Sequence, residues 1–279
     1  MQTFDRMEII KATGRDITIH VNGATISYDD LGEGKIPILF IHGFPFDKSS
    51  WQPQMEFLKT SHRVIAYDIR GFGKSTPGNE KASISIFADD LIKLIDGLQV
   101  EKVIACGLSM GGYILLNAAN RYPEKFAALI LSDTQCIADT PEAKEKRYKT
   151  IEQIKTGGLN DFAEGSVKNL FYQESLETKK EVVEKIKDII LSTSPETITG
   201  TLEALAGRDE TCFSLDNISV PTLILCGKED KITPLVQSEF LHKGIKNSTL
   251  HSIDKAGHLS NLEQPNEFNE HLNHFISVL

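Results

Sequence analysis

The chain has 279 residues and a mass of 31.0 kDa, with 40% hydrophobic and 25% charged side chains, fractions that exclude collagen-like, coiled-coil and intrinsically disordered chains. Thirty Lys and Arg against 39 Asp and Glu leave a net charge of −9 and a pI near 5.4. That field repels phosphate backbones and anionic lipid surfaces, so neither nucleic acid nor a membrane is an expected partner. The first residues, Met1 to Asp16, carry Asp5, Arg6, Glu8, Lys11 and Arg15 without the apolar run of a signal peptide. The longest apolar stretches, Ile36–Ile41 and Phe126–Leu131, are far shorter than a bilayer span. A cytoplasmic location is the resulting expectation. The four cysteines, Cys106, Cys136, Cys212 and Cys226, are widely spaced and lack a C-x-x-C pattern, and they read as buried free thiols.

In chain order, Ile17–Val21 and Thr25–Tyr28 flank the turn signal Asn22-Gly23 and predict a hairpin. The run Ile36–Ile41 then ends at His42-Gly43, the pattern of a strand buried on both faces. Similar runs recur at Arg63–Tyr67, Lys102–Cys106, Phe126–Leu131 and Pro221–Cys226, with helix-length segments between them. This alternation predicts an α/β fold with a mostly parallel sheet. Ile84, Phe87, Ala88, Leu91, Ile95 and Leu98 form one helical stripe, and Phe268, Leu272, Phe275, Ile276 and Leu279 form another at the end. From about Gln135 to Ser214 the strand signal disappears and charge is dense. Thr140-Pro141-Glu142 and Ser194-Pro195-Glu196 each supply an N-cap hydroxyl, a proline at the first helical position and a carboxylate in the first turn. The expected organisation is a core of residues 1–134 and 215–279 interrupted by a helical lid at 135–214.

The chemistry concentrates at Gly107-Leu-Ser109-Met-Gly111-Gly112, which follows one strand signal and opens a helix former. A serine in such a strand–turn–helix corner presents its hydroxyl at the sheet edge, and the glycines keep side chains out of the tight backbone. A serine hydroxyl needs a base, and the base needs a carboxylate to fix its tautomer. His258, in a loop between the apolar Leu250–Ile253 segment and the final helix, is the candidate base. Asp230, just past the strand Pro221–Cys226, is the candidate acid, with Asp133 as its rival. The backbone N–H groups of Phe44 and Met110 are the candidate oxyanion donors. Phe46 and Trp51 are candidate walls of the substrate pocket, and His42 reads as a brace for its own loop. Asp68 to Ser75 imitates a phosphate loop at Gly73-Lys74-Ser75 but has Asp68 where the motif needs glycine. No metal or cofactor site is expected.

With these residues in place, the chain resembles the α/β-hydrolase superfamily from about Thr25 to Leu279. The resemblance rests on His42-Gly-Phe44-Pro45, Asp68–Ser75, Gly107–Gly112, Asp230 and Ala256-Gly-His258 in that order. Within the superfamily it is similar to the small cofactor-free esterases, enol-lactonases and perhydrolases, and Leu131-Ser-Asp133-Thr134 with Gly107–Gly112 and His258–Gln264 leans toward the 3-oxoadipate enol-lactonase branch. The resemblance implies an eight-stranded sheet, a helical lid after the sixth strand and a triad of Ser109, Asp230 and His258. Ser109 in place of an aspartate separates the chain from haloalkane dehalogenases and epoxide hydrolases. The expected function is hydrolysis of a small carboxylic ester through an acyl-enzyme, on a small-molecule ester or lactone substrate. Enol-lactone hydrolysis, perhydrolysis and carbon–carbon bond hydrolysis use the same triad and stay open, as does a slow-turnover ligand receptor. A lactonase acting on a dicarboxylate needs a cation facing its pocket, and the arginines that the 135–214 segment offers are Arg147 and Arg208.

Overall fold

Asn22 and Gly23 both adopt positive φ (44° and 74°), the geometry of a tight hairpin turn that matches strand twist. They join β1 (Gly14–Val21) to β2 (Ala24–Leu31) in a computed structural model that describes residues 14–279. The signal-peptide expectation therefore falls almost wholly outside the described residues. Six further strands follow: β3 (Ile38–Ile41), β4 (Val64–Tyr67), β5 (Val103–Leu108), β6 (Phe126–Ser132), β7 (Thr222–Gly227) and β8 (Ser248–Ile253). They form one sheet in the order β1-β2-β4-β3-β5-β6-β7-β8, antiparallel at β1/β2 and β2/β4 and parallel elsewhere.

The central strands are buried at every position, because helices cover both faces. Alternate residues serve the two layers. Leu39, Ile41, Ile65 and Tyr67 pack toward α2 (Ile84–Gly97) and α3 (Met110–Arg121), where they meet Phe87, Leu91, Ile114 and Leu115. Ile38, Phe40, Val64 and Ala66 pack toward α1 (Gln52–Leu58) and the C-terminal α11 (Pro265–Ser277), where they meet Met55, Leu58, Phe268 and Leu272. Each buried Val, Leu, Ile, Met or Phe among these contributes roughly 1.5–3 kcal/mol through burial. Ser83 caps α2 by accepting from the Ile86 N–H, which starts the helix at the first apolar residue of its stripe.

Five helices lie between β6 and β7: α4 (Pro141–Lys155), α5 (Leu159–Leu170), α6 (Ser175–Thr178), α7 (Lys180–Ser192) and α8 (Pro195–Ala206). All fall inside the 135–214 segment. Thr140 and Ser194 cap α4 and α8 by accepting from Ala143 N–H and Thr197 N–H. Gly157, at φ 101°, carries the chain from α4 to α5 through a conformation that a side chain would strain. The stripe of α7 is buried at Val183, Ile186, Ile189 and Ile190. After β7 come α9 (Leu235–Gly244) and, beyond β8, the single turn α10 (Ser260–Glu263). Among the described residues no helix is long and apolar enough to cross a membrane.

The cysteine expectation needs correction. Cys106 and Cys226 are buried free thiols, but Cys136 and Cys212 form a disulfide, with Cα atoms 4.9 Å apart across 76 residues of sequence. Cys136 follows β6 and Cys212 precedes β7, and these strands are neighbours in the sheet, so the two ends of the helical segment meet. Their wide spacing in sequence conceals that. Such bonds persist in oxidising surroundings, which weighs against the cytoplasmic expectation. Replacing both cysteines with serine is expected to cost about 4.5 kcal/mol, the loop-closure value for a cross-link of this span. For a chain of this size that is a fall of about 10 °C in melting temperature. Calorimetry of the double variant checks it, and an unchanged midpoint would mean the bond constrains nothing.

Candidate active site

Ser109 sits between β5 and α3 at φ 52°, ψ −113°, a conformation that residues other than glycine rarely adopt. The neighbouring glycines make the turn possible. A Cβ on Gly107 would lie 2.4 Å from the Gly111 carbonyl oxygen, and one on Gly111 would lie 2.3 Å from that of Ile41. Ser109 N–H donates to Ser132 O on β6, and Thr134 Oγ1 donates to Ser109 O, so the corner is tied to the adjacent strand.

The three residues singled out from sequence come together. His258 Nε2 lies 2.7 Å from Ser109 Oγ, and His258 Nδ1 lies 2.8 Å from Asp230 Oδ2. With Nδ1–H donating to the carboxylate, Nε2 is the free acceptor for the serine proton. Asp230 is held in a turn of its own making: Oδ1 accepts from Ile232 N–H and Thr233 N–H at 2.7 and 3.0 Å, and Oδ2 accepts from Thr233 Oγ1 at 2.8 Å. Burial alone would raise the Asp230 carboxyl, but the charge and hydrogen bond of His258 and the Thr233 donors outweigh it and hold it below the usual range. Burial likewise depresses the His258 imidazolium, and Asp230 overcomes it, so the net shift is upward.

His258 is seated from the opposite side by the helical segment. Its N–H donates to Leu170 O at the end of α5. Glu263, fully buried, accepts from Gly257 N–H at 2.7 Å and Tyr172 N–H at 2.8 Å, pinning the histidine loop to the chain that leaves α5. Thr233 and Glu263 are the supporting residues that sequence reasoning missed. Thr233 follows Asp230 by three positions, the spacing of an aspartate turn, and that signal was readable; nothing local marks Glu263.

Phe44 and Met110 line the same cavity as Ser109 and His258. Among the described residues neither of their backbone N–H groups donates a hydrogen bond, so both are free for a developing oxyanion. Gly43 lets this turn approach Ser109: a Cβ there would sit 3.2 Å from Ser109 Cβ. His42 is a brace, as expected. It is fully buried, donates from Nδ1 to Gly43 O, and accepts at Nε2 from Ile69 N–H at 3.0 Å. Asp68 is also structural, accepting from Lys48 N–H, Lys48 Nζ and Lys74 N–H, and a Cβ on Gly73 would strike its carboxylate.

The aromatic pocket walls are placed elsewhere. Phe46 and Trp51 are 0% exposed and belong to the core layer beneath β3, where the Trp51 ring lies 4.9 Å from Phe40 and 6.1 Å from Phe268. A short 3₁₀ turn, Lys48–Trp51, folds that stretch back under the sheet. The cavity, about 950 Å³, opens instead beneath the helical segment, with Phe162 and Leu170 of α5, Leu202 of α8 and Arg147 of α4 among its walls. Arg147 and Arg208 both hold Asp139; Arg208 Nη1 is 2.5 Å from Asp139 Oδ1, and its guanidinium stacks 4.4 Å from the Tyr113 ring centroid. Arg147 and Asp139 line the cavity and Arg208 stands behind them, so two guanidiniums on one carboxylate leave an excess positive charge at and behind this wall.

Comparison with known proteins agrees with this architecture. A family model described as alpha/beta hydrolase fold matches residues 36–265. A 3-oxoadipate enol-lactonase from Acinetobacter baylyi is 30% identical over 253 residues, covering 90% of this chain and 93% of the relative. A thermophilic esterase from Thermogutta terrifontis, solved with malate bound, superposes with a TM-score of 0.88 at 34% identity, covering 96% of this chain and 98% of that one. An enol-lactonase from Burkholderia xenovorans gives a TM-score of 0.87 at 26% identity, covering 94% and 100%. A serine at a strained strand–helix corner, a buried histidine–aspartate pair beside it and a match over most of the length lead to one conclusion: this chain belongs to the α/β-hydrolase fold family.

Proposed function

We propose that this protein is a serine-dependent carboxylic ester hydrolase working through an acyl-enzyme. The observation that carries this reading is the hydrogen-bonded line from Ser109 through His258 to Asp230, with Ser109 facing the cavity. His258 Nε2 takes the Ser109 proton as Oγ attacks the ester carbonyl, Asp230 stabilises the imidazolium, and the Phe44 and Met110 N–H groups hold the oxyanion. His258 then protonates the leaving alcohol, and a water activated by the same nitrogen releases the acid. In this reading α4–α8 form a lid whose inner face selects the substrate.

The test is release of p-nitrophenol from acetate, butyrate and octanoate esters, followed from the burst into the steady state beside Ser109→Ala. Sustained serine-dependent turnover supports the reading, and a single burst without recovery points to the ligand-receptor alternative. Product analysis separates ester hydrolysis from perhydrolysis and carbon–carbon cleavage.

A second reading, hydrolysis of an enol-lactone, is favoured by the excess positive charge at Arg147 and Arg208 and by the relatives named for that activity. A carboxylate on the substrate would compete with Asp139 for the Arg147 guanidinium, which is 25% exposed where that of Arg208 is 3% exposed. Arg147→Gln is then expected to raise KM about tenfold for a carboxylate-bearing lactone or ester and to leave a neutral ester of the same size nearly unchanged. Equal effects on charged and neutral substrates would sink this reading and leave the general esterase intact.

A further inference from the structure

Asp133, the rival acid, is not the partner of His258, yet it is fully buried at the carboxyl end of β6, one strand from Asp230. It has φ 45°, and its own N–H donates to Leu225 O on β7. Oδ1 accepts from Gly227 N–H at 2.8 Å, and Gly227 ends β7 three residues before Asp230. Oδ2 accepts from Ser132 Oγ at 2.8 Å and from Ser260 Oγ at 2.5 Å, and Ser260 opens α10 two residues after His258. One carboxylate thus holds the loop of the acid and the loop of the base at once. Carboxylate oxygens of Asp133 and Asp230 and the Cys226 sulfur all lie within 4.8 Å of one another.

We propose that Asp133 is a positioning residue of the triad: it locks the Asp230 and His258 loops together and, as a second buried anion beside the pair, strengthens the imidazolium that forms when Ser109 attacks. This rests on the serine hydrolase reading above. A purely mechanical clamp would need no charge, since an asparagine can accept from Gly227 and donate to the serines. The charge is therefore what distinguishes the proposal.

The groups facing Asp133 are Asp230 and Cys226 from β7 and its loop, His258 from the loop before α10, and Cys106 from β5. Burial pushes both thiols up, so neither is charged near neutrality. His258 is faced in addition by Glu263. Burial, then the charge of Asp230, lift the Asp133 carboxyl to about 7, against the pull of His258 and of the Ser260 and Gly227 donors. Its charge is thus present above neutrality and fades below it. The titration belongs to the cluster as a whole, with the ionised form of Asp133 raising the pH at which His258 loses its proton.

The experiment compares Asp133→Asn and Ser260→Ala with the parent in two ways: the pH profile of ester hydrolysis, and the titration of His258 by nitrogen NMR of histidine-labelled protein. For Asp133→Asn the His258 midpoint and the acid limb of kcat/KM are expected to move down together by about half a unit to one unit, the size of a partly screened buried charge. The value of kcat is expected to fall about tenfold with KM unchanged, because Asp133 is not a wall of the cavity. Ser260→Ala removes one donor to the charged form, so the same displacement is expected at smaller size, and it serves if the asparagine variant does not fold. A His258 midpoint that stays in place in the folded variant overturns the proposal. Because the NMR titration needs no turnover, it reads Asp133 even if no ester is cleaved, an outcome that would instead count against the hydrolase reading.

Discussion

Ser109→Ala is expected to lower kcat for p-nitrophenyl butyrate by about four to six orders of magnitude while the protein stays folded. The loss is large because, among the described residues, the hydrogen-bond partner of His258 Nε2 is Ser109 Oγ, at 2.7 Å. What survives is transition-state stabilisation by the Phe44 and Met110 N–H groups and by binding in the cavity, which leaves a residual rate above that of water. KM is expected to change little, since the hydroxyl is a small part of a cavity wall that α4, α5 and α8 also supply. Stability should hold because alanine inherits the same φ of 52° and fits wherever serine does. Steady-state kinetics, with fluorophosphonate labelling followed by mass spectrometry, check both parts. A variant that keeps even a hundredth of the parent rate, or that still takes the label at an equal rate, would mean that the nucleophile is elsewhere.

Ser109 is legible in the amino acids because its surroundings are local. Strand, glycine turn and helix occupy Val103 to Arg121 without interruption, and the packing that forces glycine at 107 and 111 is made within that stretch and against β3. Asp230 and His258 were legible for a related reason: each follows a strand of the same parallel sheet, so both emerge at the edge where Ser109 lies. The pocket walls were not. Phe46 and Trp51 follow Phe44 closely, and proximity in sequence suggests proximity in space, but both are buried in the core, Trp51 at the end of the 3₁₀ turn. The cavity is walled largely by helices whose composition tells that they are amphipathic and not which residue at the boundary of each stripe turns inward. Arg147 is such a residue. The disulfide escaped for the same cause, since nothing between Cys136 and Cys212 announces that the segment returns to its starting point.

Asp230→Asn carries the second large effect, an expected fall of about 10³- to 10⁴-fold in kcat. Asparagine can keep the turn, accepting from Ile232 N–H and Thr233 N–H through its carbonyl, so geometry near 230 is retained. Its amide then faces His258 Nδ1 and donates to it, which forces the ring proton onto Nε2, the nitrogen that must be bare to accept from Ser109. The variant also removes a charge whose effect on stability has a definite sign. Because the Asp230 carboxyl is held below its usual value of 3.8 when folded, it stabilises the native chain above that pH and ceases to do so as pH falls through the lower, folded value. The parent should therefore lose this contribution progressively as pH falls from 3.8 toward the lower, folded value, while the asparagine variant lacks it throughout, and the two should converge in melting temperature over that fall. The comparison with Asp133→Asn decides which carboxylate carries the histidine. If 133 were the acid, its asparagine variant would show the thousandfold loss and Asp230→Asn a mild one. The 2.8 Å contact of His258 Nδ1 with Asp230 Oδ2 requires the reverse, with the Asp133 variant about tenfold down and displaced in pH.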